Sequence, residues 1–220
     1  MTTHVQFGGL GGEMAEPEGS GKAGALVVVQ EWHGLNAQMK EKVDRVAKAG
    51  YLALAPDLFH GTVATNDDQA KELMGALEWN SAVGEIGKAA AHLRAHPRCN
   101  GKVGVLGFCM GGALTFAAGR YVSDLACLVP FYGIPQVPTN ELAKIKTPIQ
   151  AHFAKKDDWA KPAEALKIEN AVTGAGGAMT LFVYDAGHAF MRDGDPGHFD
   201  ADASKLAWAR TLEFLEKHLA

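Results

Sequence analysis

The sequence predicts an α/β fold, a mostly parallel sheet with helices on both faces. Two observations point there. Short apolar runs rich in β-branched residues alternate with longer segments of helical period along most of the chain. Those runs are apolar almost without interruption, so both faces of each strand are expected to be covered, as in sheets built from βαβ units.

The elements follow in order. ALVVVQ (25–30) reads as a strand and QMKEKVDRVAKAG (38–50) as an amphipathic helix ending on a glycine, with Met39, Val43, Val46 and Ala47 on one face. YLALAP (51–56) is the next strand, followed by helices over 67–78 and 82–95. KVGVLG (102–107) is a strand that runs into a helix from Met110 to about Gly119. LACLVPFYG (125–133) and PIQAHFA (148–154) are strands, 162–173 a helix, MTLFVYD (179–185) a strand and 201–219 a closing helix. The Gly/Glu-rich stretch 8–24 lies between two short strand-like segments and reads as a hairpin or loop. Its glycines do not follow a strand and open a helix, which argues against a dinucleotide fingerprint. There is no internal repeat, and residues 1–220 read as one domain.

Composition narrows the function. With 47% hydrophobic residues and 21% charged, the chain resembles an ordinary globular protein with a sizeable core. A net charge of -4 offers no basic footprint for nucleic acid or anionic membrane surfaces. MTTHVQFGGL lacks the basic start and apolar core of a signal peptide. No run approaches the about 18–20 apolar residues that a membrane span needs. The three cysteines, Cys99, Cys109 and Cys127, form neither a CxxC pair nor a disulfide framework, which suits a reducing cytosol. The expected location is cytoplasmic, and the expected state a monomer or small homo-oligomer.

The chemistry concentrates in VLGFCMGG (105–112), which fits G-x-nucleophile-x-G with Gly107, Cys109 and Gly111 at a strand-to-helix junction. A nucleophile on so tight a turn leaves no room for a β-carbon two positions to either side. The turn puts Cys109 at a helix N-terminus, where free N–H groups and the helix dipole favour a thiolate. The backbone N–H of Met110 then points where an oxyanion would form. The alternative is a buried cysteine beside glycines that merely allow close helix–sheet packing.

In α/β-hydrolases the chain order is nucleophile, acid, histidine, and that order is present here. Asp157 and Asp158 stand just beyond the 148–154 strand, and His188 just beyond the next one. Flanked by Gly187 and Ala189, His188 has little bulk around it. Of the other histidines, His152 lies within a strand, and His4, His92, His96 and His218 fall outside the expected rim. The fold expected is therefore that of an α/β-hydrolase.

VVVQEWHGLN (27–36), YLALAPDLF (51–59), GKVGVLGFCMGGAL (101–114), FYG (131–133) and YDAGHAFMR (184–192) together resemble the dienelactone hydrolase family over nearly the whole chain. The cysteine in the elbow makes the resemblance specific, since most α/β-hydrolases carry serine there. It implies Cys109 as nucleophile, His188 as base and Asp157 as its partner, Asp157 keeping the family's spacing from His152. It also implies that Glu31 is the glutamate contacting the resting thiol, and that the backbone N–H of Trp32 is the second oxyanion donor. Family members that bind a dienelactone carboxylate use two arginines. Arg192 matches one, but HGTVATNDDQAKEL (60–73) holds no second, and its Asp67 and Asp68 would repel an anion.

The expected activity is hydrolysis of a small ester or lactone through a thioester, with no cofactor. Three rival readings stand beside it. One is a metal site of His188, Asp193, Asp195 and His198, whose spacing has no H-E-x-x-H-like regularity. Another is a non-catalytic binding protein that uses Cys109 as a reactive thiol. The third keeps the same nucleophile but opens the pocket to aryl esters or phosphate triesters.

Overall fold

The computed structural model describes residues 1–220. The elements run β1 (Thr3–Phe7), β2 (Leu10–Ala15), β3 (Ala23–Val29), α1 (Ala37–Lys48), β4 (Leu52–Pro56), α2 (Asp67–Ala76), α3 (Trp79–Ala95) and β5 (Cys99–Phe108). They continue as α4 (Met110–Tyr121), β6 (Leu128–Phe131), α5 (Thr139–Leu142), β7 (Ile149–Ala154), α6 (Pro162–Gly174), β8 (Met179–Tyr184) and α7 (Ala201–Leu219). All eight strands join one sheet in the order β1-β2-β4-β3-β5-β6-β7-β8. From β4 to β8 every pairing is parallel, while β2 pairs antiparallel with both β1 and β4. The mostly parallel α/β architecture is the one expected.

Burial explains why the inner runs are apolar throughout. Leu26 to Val29 of β3 have no exposed surface, whereas β8 at the sheet edge leaves Val183 exposed. One hydrophobic cluster reaches from Phe7 to Leu219, so elements from both halves of the sequence pack on the same core. No helix is long and apolar enough to cross a membrane.

Several boundaries differ from expectation. The glycine-rich stretch is partly strand: the chain turns on Gly8 and Gly9, whose φ values of 55° and 81° are left-handed, and β2 follows at once. The strand expected over 125–133 ends at Phe131, because Tyr132 takes a φ of 35° and turns the chain. Helix α3 begins at Trp79, ahead of the expected 82, and the short α5 was not anticipated.

Candidate active site

The site is built at the carboxyl ends of the parallel strands, where open α/β sheets generally bind ligands. Glu31 follows β3, Cys109 follows β5, Tyr132 follows β6, Asp157 follows β7 and His188 follows β8.

Cys109 occupies the junction between β5 and α4 with φ 53° and ψ −116°. That conformation is strained for a residue with a β-carbon and persists only where its surroundings enforce it. Its N–H donates to the Phe131 carbonyl at 3.1 Å, and its own carbonyl accepts from the Ala113 N–H at 3.1 Å. The flanking glycines are sterically required. A β-carbon on Gly107 would stand 2.2 Å from the Gly111 carbonyl oxygen, and one on Gly111 would stand 2.3 Å from that of Val29. Met110 is the first residue of α4, so its N–H belongs to the helix's unpaired first turn. Cys99 and Cys127 are buried, and burial pushes the Cys127 thiol up to about 12. Cys109 alone of the three is partly exposed, and it lines a cavity.

His188 bridges the other two expected residues. Its Nε2 lies 3.2 Å from the Cys109 sulfur, and its Nδ1 lies 2.7 Å from Oδ2 of Asp157. The remaining Asp157 oxygen, Oδ1, accepts from the backbone N–H groups of Trp159 at 2.8 Å and Ala160 at 2.9 Å. Asp157 is 4% exposed, whereas Asp158 points to solvent. Burial works against the charged form of Asp157, but the bonds from His188 and from the two N–H groups hold its carboxyl below its ordinary range. Burial likewise disfavours a charged His188, yet its bonds to Asp157 and Cys109 prevail and raise it to about 10. The Tyr132 ring stands edge-on to the imidazole, with centroids 5.1 Å apart.

Glu31 and Arg192 differ from expectation. Glu31 makes no hydrogen bond to the sulfur. Its Oε2 takes the Arg192 guanidinium, with Nη2 at 2.7 Å and Nε at 2.9 Å, and its Oε1 accepts from the Tyr132 hydroxyl at 3.4 Å. At 3% exposure this carboxylate needs a cation more than a thiol can offer. Arg192 therefore lines the cavity with its charge engaged, and Asp195 adds a further contact at 3.4 Å. The loop carrying Arg192 is tied to α1. Buried Lys42 donates to the Met191 carbonyl and lies 3.3 Å from Asp193, which Arg45 also reaches at 3.4 Å. Lys42 was missed in the sequence, although it lies three residues after Met39 and four before Val46, on the helix's apolar stripe.

A cavity of about 600 Å³ opens over the sulfur, with Trp32, Asp67, Met74, Trp159 and Arg192 among its walls. His33 and Asp67 meet at its edge, Nε2 to Oδ1 at 3.1 Å. Trp159 went unnoticed in the sequence, though it follows Asp157 by two positions. The set His188, Asp193, Asp195 and His198 does not converge on a point. His188 spends both ring nitrogens on Cys109 and Asp157, while His198 pairs with Asp195 at 2.9 Å. No group of three or more His, Cys, Asp or Glu side chains is arranged to hold a metal ion.

Residues 10–219 match the sequence model of the Dienelactone hydrolase family. A carboxymethylenebutenolidase of Pseudomonas putida is 35% identical over 222 residues, spanning 95% of this chain and 90% of the relative. Protein usf of Aquifex pyrophilus is 34% identical over 217 residues, spanning 94% and 93%. Among solved structures, a dienelactone hydrolase-like promiscuous phosphotriesterase from metagenomic libraries superposes with a TM-score of 0.87. It covers all of this chain and 99% of its own at 22% identity, a likeness of fold.

Proposed function

This chain belongs to the dienelactone hydrolase family and is a hydrolase of lactones or esters, and from that premise we propose a route through a thioester on Cys109. The observation that carries it is the single imidazole bridging the sulfur and a buried aspartate. An imidazolium raised to about 10 is the partner a thiolate needs beside it at neutral pH.

In the first half-reaction the Cys109 sulfur attacks the carbonyl carbon and a C–S bond forms. The N–H groups of Met110 and Trp32 receive the oxyanion. Collapse breaks the C–O bond, and the leaving oxygen takes the proton from His188 Nε2. In a lactone that oxygen stays tethered to the acyl group. Water then gives a proton to His188 as it attacks the thioester, and the sulfur departs as thiolate with the proton left on His188. Asp157 keeps the ring oriented and supports its charge through both steps. Glu31 holds Arg192 in the wall, so the pocket offers an incoming carboxylate no free cation, which favours substrates without one.

The test is turnover of p-nitrophenyl acetate by wild type and Cys109→Ala. The substitution should lower kcat by at least about three orders of magnitude while the protein stays folded. Iodoacetamide at one equivalent should silence the wild type. Activity that survives either treatment would refute the thioester route.

A further inference from the structure

We propose that the outer part of this cavity selects esters whose alcohol or acyl portion carries a cation, a quaternary or protonated amine. The proposal rests on the Cys109 reading above and extends it to the substrate class. Three observations converge on it.

The first is a balance of charge. Arg192 is matched by Glu31 and Asp195, and Asp193 by Lys42 and Arg45. Asp67 has only the His33 imidazole, and its side chain is 78% exposed. An anionic charge without a fixed counter-cation therefore stands in the wall. The second is aromatic surface. Trp159 is 78% exposed although it lines the cavity, a large apolar face left open to whatever enters. The third is arrangement. Trp159 and Trp32 stand 6.4 Å apart between ring centroids, tilted at 56°, and Trp32 meets His33 edge-on at 5.2 Å. His33 in turn holds Asp67 at 3.1 Å. Two indoles, an imidazole and a carboxylate thus follow one another along the wall of the cavity that Cys109 also lines. Indole rings attract cations through their faces, and quaternary ammonium groups are recognised by aromatic surfaces of this kind. The carboxylate adds a long-range pull that an anion would feel as repulsion.

The experiment compares kcat/KM for acetylcholine with that for 3,3-dimethylbutyl acetate, its uncharged carbon isostere, by proton release. Wild type should prefer the cation by about tenfold at low salt, and the preference should shrink as ionic strength approaches 0.15 M, roughly where screening reaches 8 Å. Trp159→Ala and Asp67→Asn should each reduce the cation-to-neutral ratio severalfold. Asp68→Asn removes the same charge one residue away, outside the cavity, and should leave the ratio where it was. A wild-type ratio of one or below overturns the proposal. So does a fall with Asp68→Asn equal to that with Asp67→Asn, which would mean bulk surface charge alone. Turnover of p-nitrophenyl acetate with neither acetate accepted also overturns it. Failure on all three esters refutes the Cys109 hydrolysis reading instead.

Discussion

Asp157 and Asp158 are adjacent carboxylates of the same chemistry, and burial separates them. Asp157 is 4% exposed and spends its two oxygens on His188 and on two backbone N–H groups, so it is fixed as well as charged. Asp158 faces water. Asp157→Asn should therefore lower kcat by about two to four orders of magnitude, since the wrong imidazole tautomer is then favoured. Asp158→Asn should change it less than about threefold, and steady-state kinetics on one neutral ester decides. The reverse ranking would place the acid on the other residue. At this scale the sequence was partly legible. The order of cysteine, aspartate and histidine at successive strand ends is written in the chain, but the destination of a buried charge is not. Glu31 stands at a strand end beside the sulfur's element, yet its partner comes 161 residues later. That pairing depends on the loop after β8 folding back over β3, which no local pattern records.

At the scale of elements, the elbow between β5 and α4 is the most constrained junction in the fold. Gly111 stands so close to the end of β3 that a methyl group would overlap the Val29 carbonyl carbon, at 2.7 Å, as well as its oxygen. Backbone cannot yield there as a side chain could. Gly111→Ala should destabilise the protein by about 3 kcal/mol or more, the upper range for overpacking. Gly84→Ala, at an exposed position of α3 with nothing within 4 Å of the new methyl, should stabilise by about 0.5–1 kcal/mol. Urea unfolding of both variants provides the comparison, and equal effects would remove the steric argument. Strands with continuous apolar runs and helices with a clear stripe were legible because burial on a sheet or face imposes a period. Termini were less so. Tyr132 ends β6 through a left-handed φ that its residue type does not advertise, and β2 begins in a run of glycines that reads as a loop.

For the whole molecule, the coupled site ties stability to pH. His188 is raised from 6.5 to about 10 in the folded protein. A group raised on folding contributes stability in full below its unfolded value, and that contribution fades as pH climbs toward the folded one. Asp157 is lowered, so its share is present above its unfolded value and is lost as pH falls through the folded one. Wild type should thus lose stability relative to His188→Gln between about pH 6.5 and pH 10, and the two unfolding curves should converge at the alkaline end. Parallel curves across that window would mean that the imidazole carries no extra proton when folded.

The bond on which the proposed route turns is the thioester between substrate acyl group and Cys109. Intact-mass and peptide mass spectrometry after millisecond acid quench of a p-nitrophenyl ester reaction measures it directly. The predicted result is a single added acyl mass on the peptide holding Cys109, gained within the burst, decaying at the turnover rate and absent from Cys109→Ala. An acyl group on any other residue, or rapid turnover with no acylated protein at a burst-phase time point, would contradict it.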